Sequence, residues 1–335
     1  MRIRRRTRIT IAVVVVILLL LAAALYLRVK APPEAARLLP ESDGIVYMNL
    51  RPIRTVTHFD RHPVTHDPEY QSFIDATGIQ FERDLDEAAF ALHRMPNPAG
   101  PNGQVAFSEV FVGHFDGRRL MHYLEGLSTA QESYAGHTIY SIPSDGRTVR
   151  VTLLGYDMVA VSNTPTEEQI HSILDRYRSA ALPFAGSSVL TDHYEEVPLL
   201  SIAWGIGQIG LPFGDSGNVS VFGFRLPISF DSMFIASVRW TGSLRLRVEE
   251  IAPTEQAATS SAESVKMLLN FVRNAESVAP GVTGAEFKPL LDSIQIEHHR
   301  DRAVLHATVP PQLLERLVTP PGTLQETPLP GSNSK

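Results

Sequence analysis

The sequence of 335 residues contains no cysteine. This absence excludes disulfide bonds, thiolate catalysis, cysteine metal sites and a lipid attached through a cysteine thioether. A chain without disulfides depends on burial of apolar side chains for its stability, and about 300 residues are enough to bury a sufficient core.

Positive charge is scarce beyond the N-terminus. Residues 1–30 hold seven of the 30 basic residues and none of the 36 acidic ones. The remainder therefore has 23 basic against 36 acidic side chains, a formal charge of −13 with histidine neutral. Nucleic-acid binding needs clustered lysine and arginine facing the phosphates, so nucleic acid is not an expected partner. The same charge disfavours lying flat on an anionic membrane.

The common catalytic signatures are missing as well. The chain has no G-x-S-x-G, H-E-x-x-H or P-loop sequence, which are typical of α/β-hydrolases, zinc peptidases and phosphate-binding loops. No catalytic residue and no cofactor is assigned from the sequence.

The chain does contain one long apolar run, Ile9–Leu27, which is uncharged. At the helical rise it spans about 28 Å, close to the ~30 Å hydrocarbon core of a bilayer. Five arginines precede the run, whereas the basic residues that follow it are interleaved with acidic ones. The positive-inside rule then places the N-terminus in the cytoplasm and the bulk of the chain on the periplasmic side. We interpret the run as a signal-anchor that crosses the cell membrane once.

Two other export signals match part of this region. Ala22–Ala24 offers the small residues that a signal peptidase accepts, which would make the run a cleaved signal peptide. The run is longer than the usual ~7–15 residues of such an apolar region, and Leu25–Leu27 continues it past the alanines, so an uncleaved anchor is favoured. Positive-inside flanking also explains the early arginines without twin-arginine export.

Beyond the anchor, the pattern predicts an α+β fold built on an antiparallel sheet with packed helices. Two strand-like segments flank Asp145-Gly146, a strong hairpin signal. Residues 244–248 alternate between apolar and charged side chains, as in a strand with one buried face. Thr164–Glu167 is interpreted as a capping box that opens a helix, and Thr254–Ala275 as a long alanine-rich helix.

The same pattern divides the chain into four segments. We expect a basic tail and transmembrane signal-anchor over 1–30, one α+β subdomain over 31–183, a second over 184–318, and a disordered proline-rich tail over 319–335. Gln312–Val318 is predicted as a last helical turn or two. Both subdomains have a strand meander followed by a helix, which suggests two topologically related halves sharing one sheet or two abutting sheets.

Two glycine-rich motifs resemble functional loops. Gly205–Gly210 matches G-x-G-x-x-G, but the dinucleotide fingerprint needs a helix to begin there, and Pro212 and the glycines after it forbid one. A glycine-rich strand and loop is the favoured interpretation. Gly214–Gly217 matches four residues of the nucleophile loop of trypsin-like proteases without their next glycine, which favours a surface turn.

Histidines and carboxylates supply the remaining candidates. His58, His62 and His66 have helical spacing and are weak candidates for a metal site, because Pro63 interrupts the helix that would align them. His298, His299 and His306 lie on a predicted hairpin, where alternation separates neighbouring side chains. A third group comprises Asp84, Asp86 and Glu87. It lacks the spacing of a calcium loop and is interpreted as solvated charge.

Four stretches also carry a family resemblance: LLPESDGIVYMNL at 38–50, GHFDGRRLMHYLEG at 113–126, YAGHTIYSI at 134–142 and LLDSIQIEHHRDRAVLHATVPPQLLERL at 290–317. Together with the basic signal-anchor they resemble uncharacterised bacterial signal-anchored envelope protein families, grouped as domains of unknown function. The resemblance implies a bacterial source and an envelope location. It implies no catalytic residues.

The sequence therefore predicts a non-enzymatic, single-pass protein of the cell envelope that binds a macromolecule or another envelope component. The first alternative is a carrier or holdase for an apolar ligand such as lipid, with a groove between helices and sheet. The second is an exported hydrolase whose site is assembled from residues distant in sequence.

Overall fold

The computed structural model describes residues 13–22, 30–61, 66–179, 186–208, 219–221, 224–226, 228–229, 231–278 and 288–309. The folded body is built on one twelve-stranded antiparallel sheet with helices on both faces. This confirms the predicted α+β class with a large antiparallel sheet. The division into domains and the superposition of two halves stay predictions.

The strands are β1 Gly44–Asn49, β2 Leu85–Arg94, β3 Val105–Gly113, β4 Ala130–Tyr134, β5 His137–Ser144, β6 Arg147–Leu154, β7 Met158–Ser162, β8 Ser201–Gln208, β9 Val219–Val221, β10 Phe224–Leu226, β11 Met233–Trp240, β12 Leu244–Ile251, β13 Gln295–His299 and β14 Arg302–Val309. The order in the large sheet is β13-β14-β12-β11-β8-β1-β2-β3-β7-β6-β5-β4, and β9 and β10 form a separate pair. The strands up to β7 thus lie on one side of the sheet, and the later ones on the other.

The α-helices of the body are α1 Glu34–Leu38, α2 Leu50–Thr57, α3 Pro68–Thr77, α4 Phe81–Asp84, α5 Gly117–Leu127, α6 Glu168–Ser179, α7 Ser188–His193, α8 Glu255–Val278 and α9 Lys288–Ser293. Short 3₁₀ helices span Phe59–Arg61 and Tyr194–Glu196. Asp67 and Asp116 cap α3 and α5, because each carboxylate accepts a hydrogen bond from a backbone N–H of the first turn.

Different helices cover the two faces of the sheet. One face, here the α1 face, carries Ile45, Val110 and Ile206, which pack in one core with apolar residues of α1, α6 and α7. The opposite face, here the α5 face, packs Val151 and Val159 against α5 in a second core. Farther along the α5 face, α8 packs on β13 and β14.

The two sides of the sheet meet where β1 pairs with β8. Gly44 lies opposite Gly207 in this antiparallel pair. A Cβ on Gly207 would lie 2.8 Å from the Cα of Gly44, closer than side-chain atoms approach backbone, so this junction requires glycine. The first part of the G-x-G-x-x-G sequence is therefore a central strand, and its last two residues lie outside the described residues.

One local prediction is wrong. Thr164–Glu167 does not form a capping box, since α6 begins only at Glu168. The Thr164 hydroxyl donates to the carbonyl oxygen of Thr166, and the Glu167 carboxylate accepts from Arg150 at 2.9 Å. Arg150 is buried, and the Glu167 carboxylate pairs with this charge on β6.

The predicted anchor is described only in part. Residues 13–22 are helical with exposed apolar side chains, and the rest of Ile9–Leu27 apart from this stretch lies outside the described residues. Within the portion of the chain that the structure describes, no helix reaches the length and apolarity needed to cross a membrane. The predicted helical turn at Gln312–Val318 and the tail over 319–335 also lie outside it.

Candidate functional site: a cleft at one end of the sheet

A cleft of about 770 Å³ opens on the α1 face, at the end of the sheet where β1 and β3 finish and β2, β7 and β8 begin. The segment Ala31–Pro33, which leads into α1, forms one wall, and Val197–Ser201, which leads into β8, forms another. The remaining lining residues come from α1, the strand ends and the 3₁₀ helix: Glu34, Arg37, Tyr47, Asn49, Glu87, Val112, Asp157, Met158, Tyr194 and Trp204.

Aromatic rings form the floor of the cleft. Tyr47 on β1 lies opposite Trp204 on β8, and their rings stack with centroids 5.4 Å apart. Tyr194 meets Trp204 edge to face at 5.3 Å. Burial raises the pKa of the Tyr47 phenol, and the hydrogen bond with the Glu87 carboxylate raises it further. Tyr47 therefore stays a neutral phenol at physiological pH, which suits a binding surface with a polar edge.

The outer lip of the cleft is apolar and exposed. Leu199 is 52% exposed and Leu200 is 83% exposed. Leu200 also has a φ of 63°, a left-handed conformation that is strained for a bulky side chain. Exposure of an apolar side chain and backbone strain both oppose folding, so this lip is a candidate contact surface.

A second, smaller cavity of about 410 Å³ adjoins the cleft along the segment Val197–Leu199, which lines both. It shares Pro32, Tyr194 and Leu199 with the large cleft, and it is also lined by Lys30 and Leu190. The residues that follow the predicted anchor therefore border both cavities.

A charged network fixes the position of the 3₁₀ helix Tyr194–Glu196, which borders the cleft. The Glu249 carboxylate is only 2% exposed and lies 2.7 Å from an Arg247 nitrogen and 2.9 Å from an Arg302 nitrogen. Arg302 also donates to both carboxylate oxygens of Glu196, at 2.8 and 2.9 Å. The hydrogen bonds from Arg302 lower the pKa of Glu196. This bidentate pair ties the 3₁₀ helix, and with it Tyr194, to β14.

A second buried carboxylate lies near the end of β1. Asp86 is 3% exposed, and its oxygens accept hydrogen bonds from Arg51 at 2.8 Å and Arg54 at 3.1 Å. His114 lies 3.3 Å away. Burial opposes ionisation of Asp86, but the hydrogen bonds from the two arginines outweigh it and lower its pKa. The prediction of solvated charge is therefore wrong for Asp86, because α2 brings both arginines over the strand.

The same correction applies to Asp84. Its carboxylate accepts from the backbone N–H of Gln80 and from Arg83, and these interactions lower its pKa although burial opposes them. The Asp84 side chain thus ties the end of α4 back to Gln80, the residue that precedes this helix. Among the residues that the structure describes, no group of three or more histidine, aspartate or glutamate side chains has the geometry of a metal site.

The predicted histidine cluster is not assembled on one helix. His58 ends α2 in a left-handed conformation with a φ of 50°. His66 lies beyond the 3₁₀ helix, where its ring is 3.2 Å from Glu82 and 3.3 Å from Gln71. His62 lies outside the described residues. His298 and His299 are exposed on β13, and His306 lies on the neighbouring strand.

The structure also brings together a serine and a histidine that the sequence did not predict as partners. The Ser108 Oγ lies 2.9 Å from the His93 Nε2, and Ser162 continues the chain of hydroxyls at 3.3 Å. Ser108 is 0% exposed, and burial lowers the pKa of His93, which favours the neutral ring. A nucleophile must reach its substrate, so this buried group is a core hydrogen-bond network.

The cleft itself could not be identified from the sequence, because its residues come from six separate segments. The only local signal was Leu199-Leu200, two apolar residues directly after Pro198 and before a strand. Its described lining contains no histidine, and the Ser201 hydroxyl donates to the Pro198 carbonyl oxygen at 2.6 Å. The arrangement offers an aromatic floor, carboxylates and an apolar lip, which are features of a ligand-binding site.

Comparison with known proteins adds no family assignment. No protein family model matches the sequence, and no curated protein matches it. Three solved structures of TP0453 align with most of the chain. Crystal form IV has a TM-score of 0.45 at 10% identity, over 85% of this chain and 94% of that one. Form III has 0.46 at 12%, over 86% and 97%. Form I has 0.44 at 10%, over 86% and 98%.

Proposed function

We propose that this protein is a non-enzymatic, single-pass membrane protein whose body lies outside the cytoplasm and binds an amphiphilic component of the cell envelope in the cleft. The observation that carries the proposal is the position of the cleft. Its wall includes Ala31–Pro33, the first residues of the body after the predicted anchor. A site for a membrane-derived ligand is expected where the body meets its anchor.

The proposed location rests on the sequence. The uncharged run Ile9–Leu27 has the length of a bilayer span, and the arginines before it favour a cytoplasmic N-terminus. The resemblance to signal-anchored envelope families is in keeping with this topology. The acidic body, at −13, is suited to solubility on the periplasmic side.

The proposed ligand class rests on the lining of the cleft. Its volume of about 770 Å³ falls in the range of small-molecule sites, roughly 300–1,000 Å³. Apolar contacts come from Val112, Met158 and Leu199, whereas Glu87 and Asn49 supply polar groups beside the aromatic floor. A ligand with an acyl chain and a polar head satisfies both kinds of surface. This favours an amphiphile over a purely polar metabolite.

The test is binding of an acyl-chain probe to the full chain. Protein purified in a detergent is titrated with a fatty acid that carries an environment-sensitive fluorophore, and lipids extracted from the protein are identified by mass spectrometry. We expect saturable binding and co-purified lipid. Leu199→Asp places a charge on the lip and should weaken binding about tenfold or more, because a buried leucine contact contributes about 1.5–3 kcal/mol.

Leu127→Asp is the matched control, because Leu127 on α5 is 45% exposed and belongs to the opposite face of the sheet. It should leave binding unchanged. Absence of both co-purified lipid and saturable binding would refute the proposal, as would equal effects of the two substitutions.

A further inference from the structure

We propose that the end of the sheet bearing the cleft lies against the surface of the membrane that holds the anchor, so that the cleft opens at the lipid–water boundary. This inference rests on the proposed function, since it assumes that the chain is anchored, and it adds the docking surface and the source of the ligand. The partner is the lipid surface itself.

The length of chain between anchor and body limits their separation. If Leu27 is the last residue in the hydrocarbon, Lys30 is three residues away, and three extended residues reach about 10 Å. Lys30 lines the smaller cavity, and Pro32 and Pro33 line the large cleft. Both cavities must therefore lie within about 20 Å of the hydrocarbon. The opposite end of the sheet, where Asp145-Gly146 turns the chain, is separated from this end by the length of the strands.

Among the described residues, the two most exposed large apolar side chains lie at the tips of this end. Tyr156 is 97% exposed in the turn between β6 and β7, next to Asp157 in the cleft lining. Leu200 is 83% exposed on the cleft lip. In water, both the exposure of Leu200 and its strained left-handed backbone are unfavourable. At a membrane interface these two side chains become favourable contacts, because leucine enters the acyl boundary and tyrosine favours the headgroup level.

Two arginines at this end suit an anionic lipid surface. Arg239 at the end of β11 lies in register with Ser201 in the cleft lining and directly opposite Arg245 on β12. Like charges in opposite cross-strand positions destabilise a sheet. Among the described residues, neither arginine forms an ion pair, whereas Arg247 and Arg302 on the same face both pair with Glu249. Anionic lipid headgroups would balance the two unpaired charges.

The net charge of the body determines the manner of contact. At −13 the body as a whole is repelled by an anionic surface, which disfavours lying flat. Contact through one end places the two arginines and the apolar tips at the membrane. The carboxylates of Glu34, Glu87 and Asp157 at this end line the cleft, and the acidic groups elsewhere on the body stay away from the membrane. The body therefore stands on the membrane with its strands at a steep angle, and lipid from the same bilayer reaches the cleft without crossing water.

The absence of cysteine makes a direct test possible, because one substituted cysteine gives a unique labelling site. The full chain is reconstituted in vesicles of phosphatidylcholine and phosphatidylglycerol. A fluorophore is attached at Leu200→Cys, or at Ser144→Cys as the control on the exposed strand end at the far side of the sheet. Nitroxide lipids in the same vesicles quench fluorophores that reach the interface. Flotation of the vesicles reports anchoring separately.

We expect the label at position 200 to lose about half of its emission, because interfacial side chains lie about 5–10 Å into the headgroup boundary. The label at position 144 should be unaffected. If the protein floats with the vesicles but the two labels are quenched equally or not at all, the docking surface is wrong and anchoring stands. If the protein does not float, the anchor itself is refuted, and this inference falls with it.

Discussion

Replacing Glu109 by glutamine should stabilise the protein at alkaline pH. Glu109 lies on β3, in register with Phe90 on β2 and Val161 on β7. Phe90 packs edge to face on Phe111, with ring centroids 5.8 Å apart, so the carboxyl lies in apolar surroundings. No described residue offers it a hydrogen bond. Burial raises its pKa to about 7, from an ordinary value of 4.5.

The sign of the effect follows from proton binding. With the higher pKa in the folded state, the native protein binds this proton more tightly than the unfolded chain does. The stability is therefore unaffected below pH 4.5 and falls as the pH rises from 4.5 to about 7. At about 1.4 kcal/mol per pH unit, ionised Glu109 costs about 3 kcal/mol of unfolding free energy above pH 7.

Urea unfolding at pH 5 and pH 9 measures this cost. Glu109→Gln should be about as stable as the natural sequence at pH 5 and more stable by about 3 kcal/mol at pH 9, or roughly 6–12 °C in melting temperature. Glu263→Gln on α8 is the control, because Glu263 is exposed, and this substitution should change the unfolding free energy by less than about 0.5 kcal/mol. If the stability difference between Glu109→Gln and the natural sequence does not change with pH, the buried-carboxyl argument is wrong.

Two further substitutions test the packing of the sheet and its buried charge. Gly207→Ala should lower the unfolding free energy in urea by about 2–3 kcal/mol, because its Cβ would lie 2.8 Å from the Cα of Gly44. Gly205→Ala is the control and should cost less than about 1 kcal/mol, because the nearest atom to its Cβ would be 3.5 Å away. Equal costs would contradict the close approach of β1 and β8. Asp86→Asn should cost about 2 kcal/mol at pH 7, since solvent screens the exposed Arg51. The pKa of Asp86 lies below its ordinary 3.8, so the stability that its carboxylate contributes is present above pH 3.8 and is lost as the pH falls through the folded pKa. If the difference in unfolding free energy between Asp86→Asn and the natural sequence persisted unchanged in acid, this reasoning would be wrong.

Local sequence patterns predicted much of the secondary structure. Asp145-Gly146 forms the predicted hairpin turn, with both residues at positive φ. The alternating residues 244–248 lie on β12, and the alanine-rich segment forms α8 over Glu255–Val278. These features depend on neighbours a few residues apart, whose periods of 2 and 3.6 are visible in the chain. The capping box failed because Glu167 has a distant partner, Arg150, which no local pattern reveals.

By itself the sequence determined the α+β class, the antiparallel strands, the apolar N-terminal run and the absence of cysteine chemistry. Only the tertiary structure decided that Tyr47 and Trp204, 157 positions apart, stack in one floor, and that Asp86 is buried beneath two arginines. Both depend on which strands are neighbours in the sheet. Strand alternation specifies the two faces of a strand but leaves its partner open, so sites assembled across strands become visible only when the strand order is known.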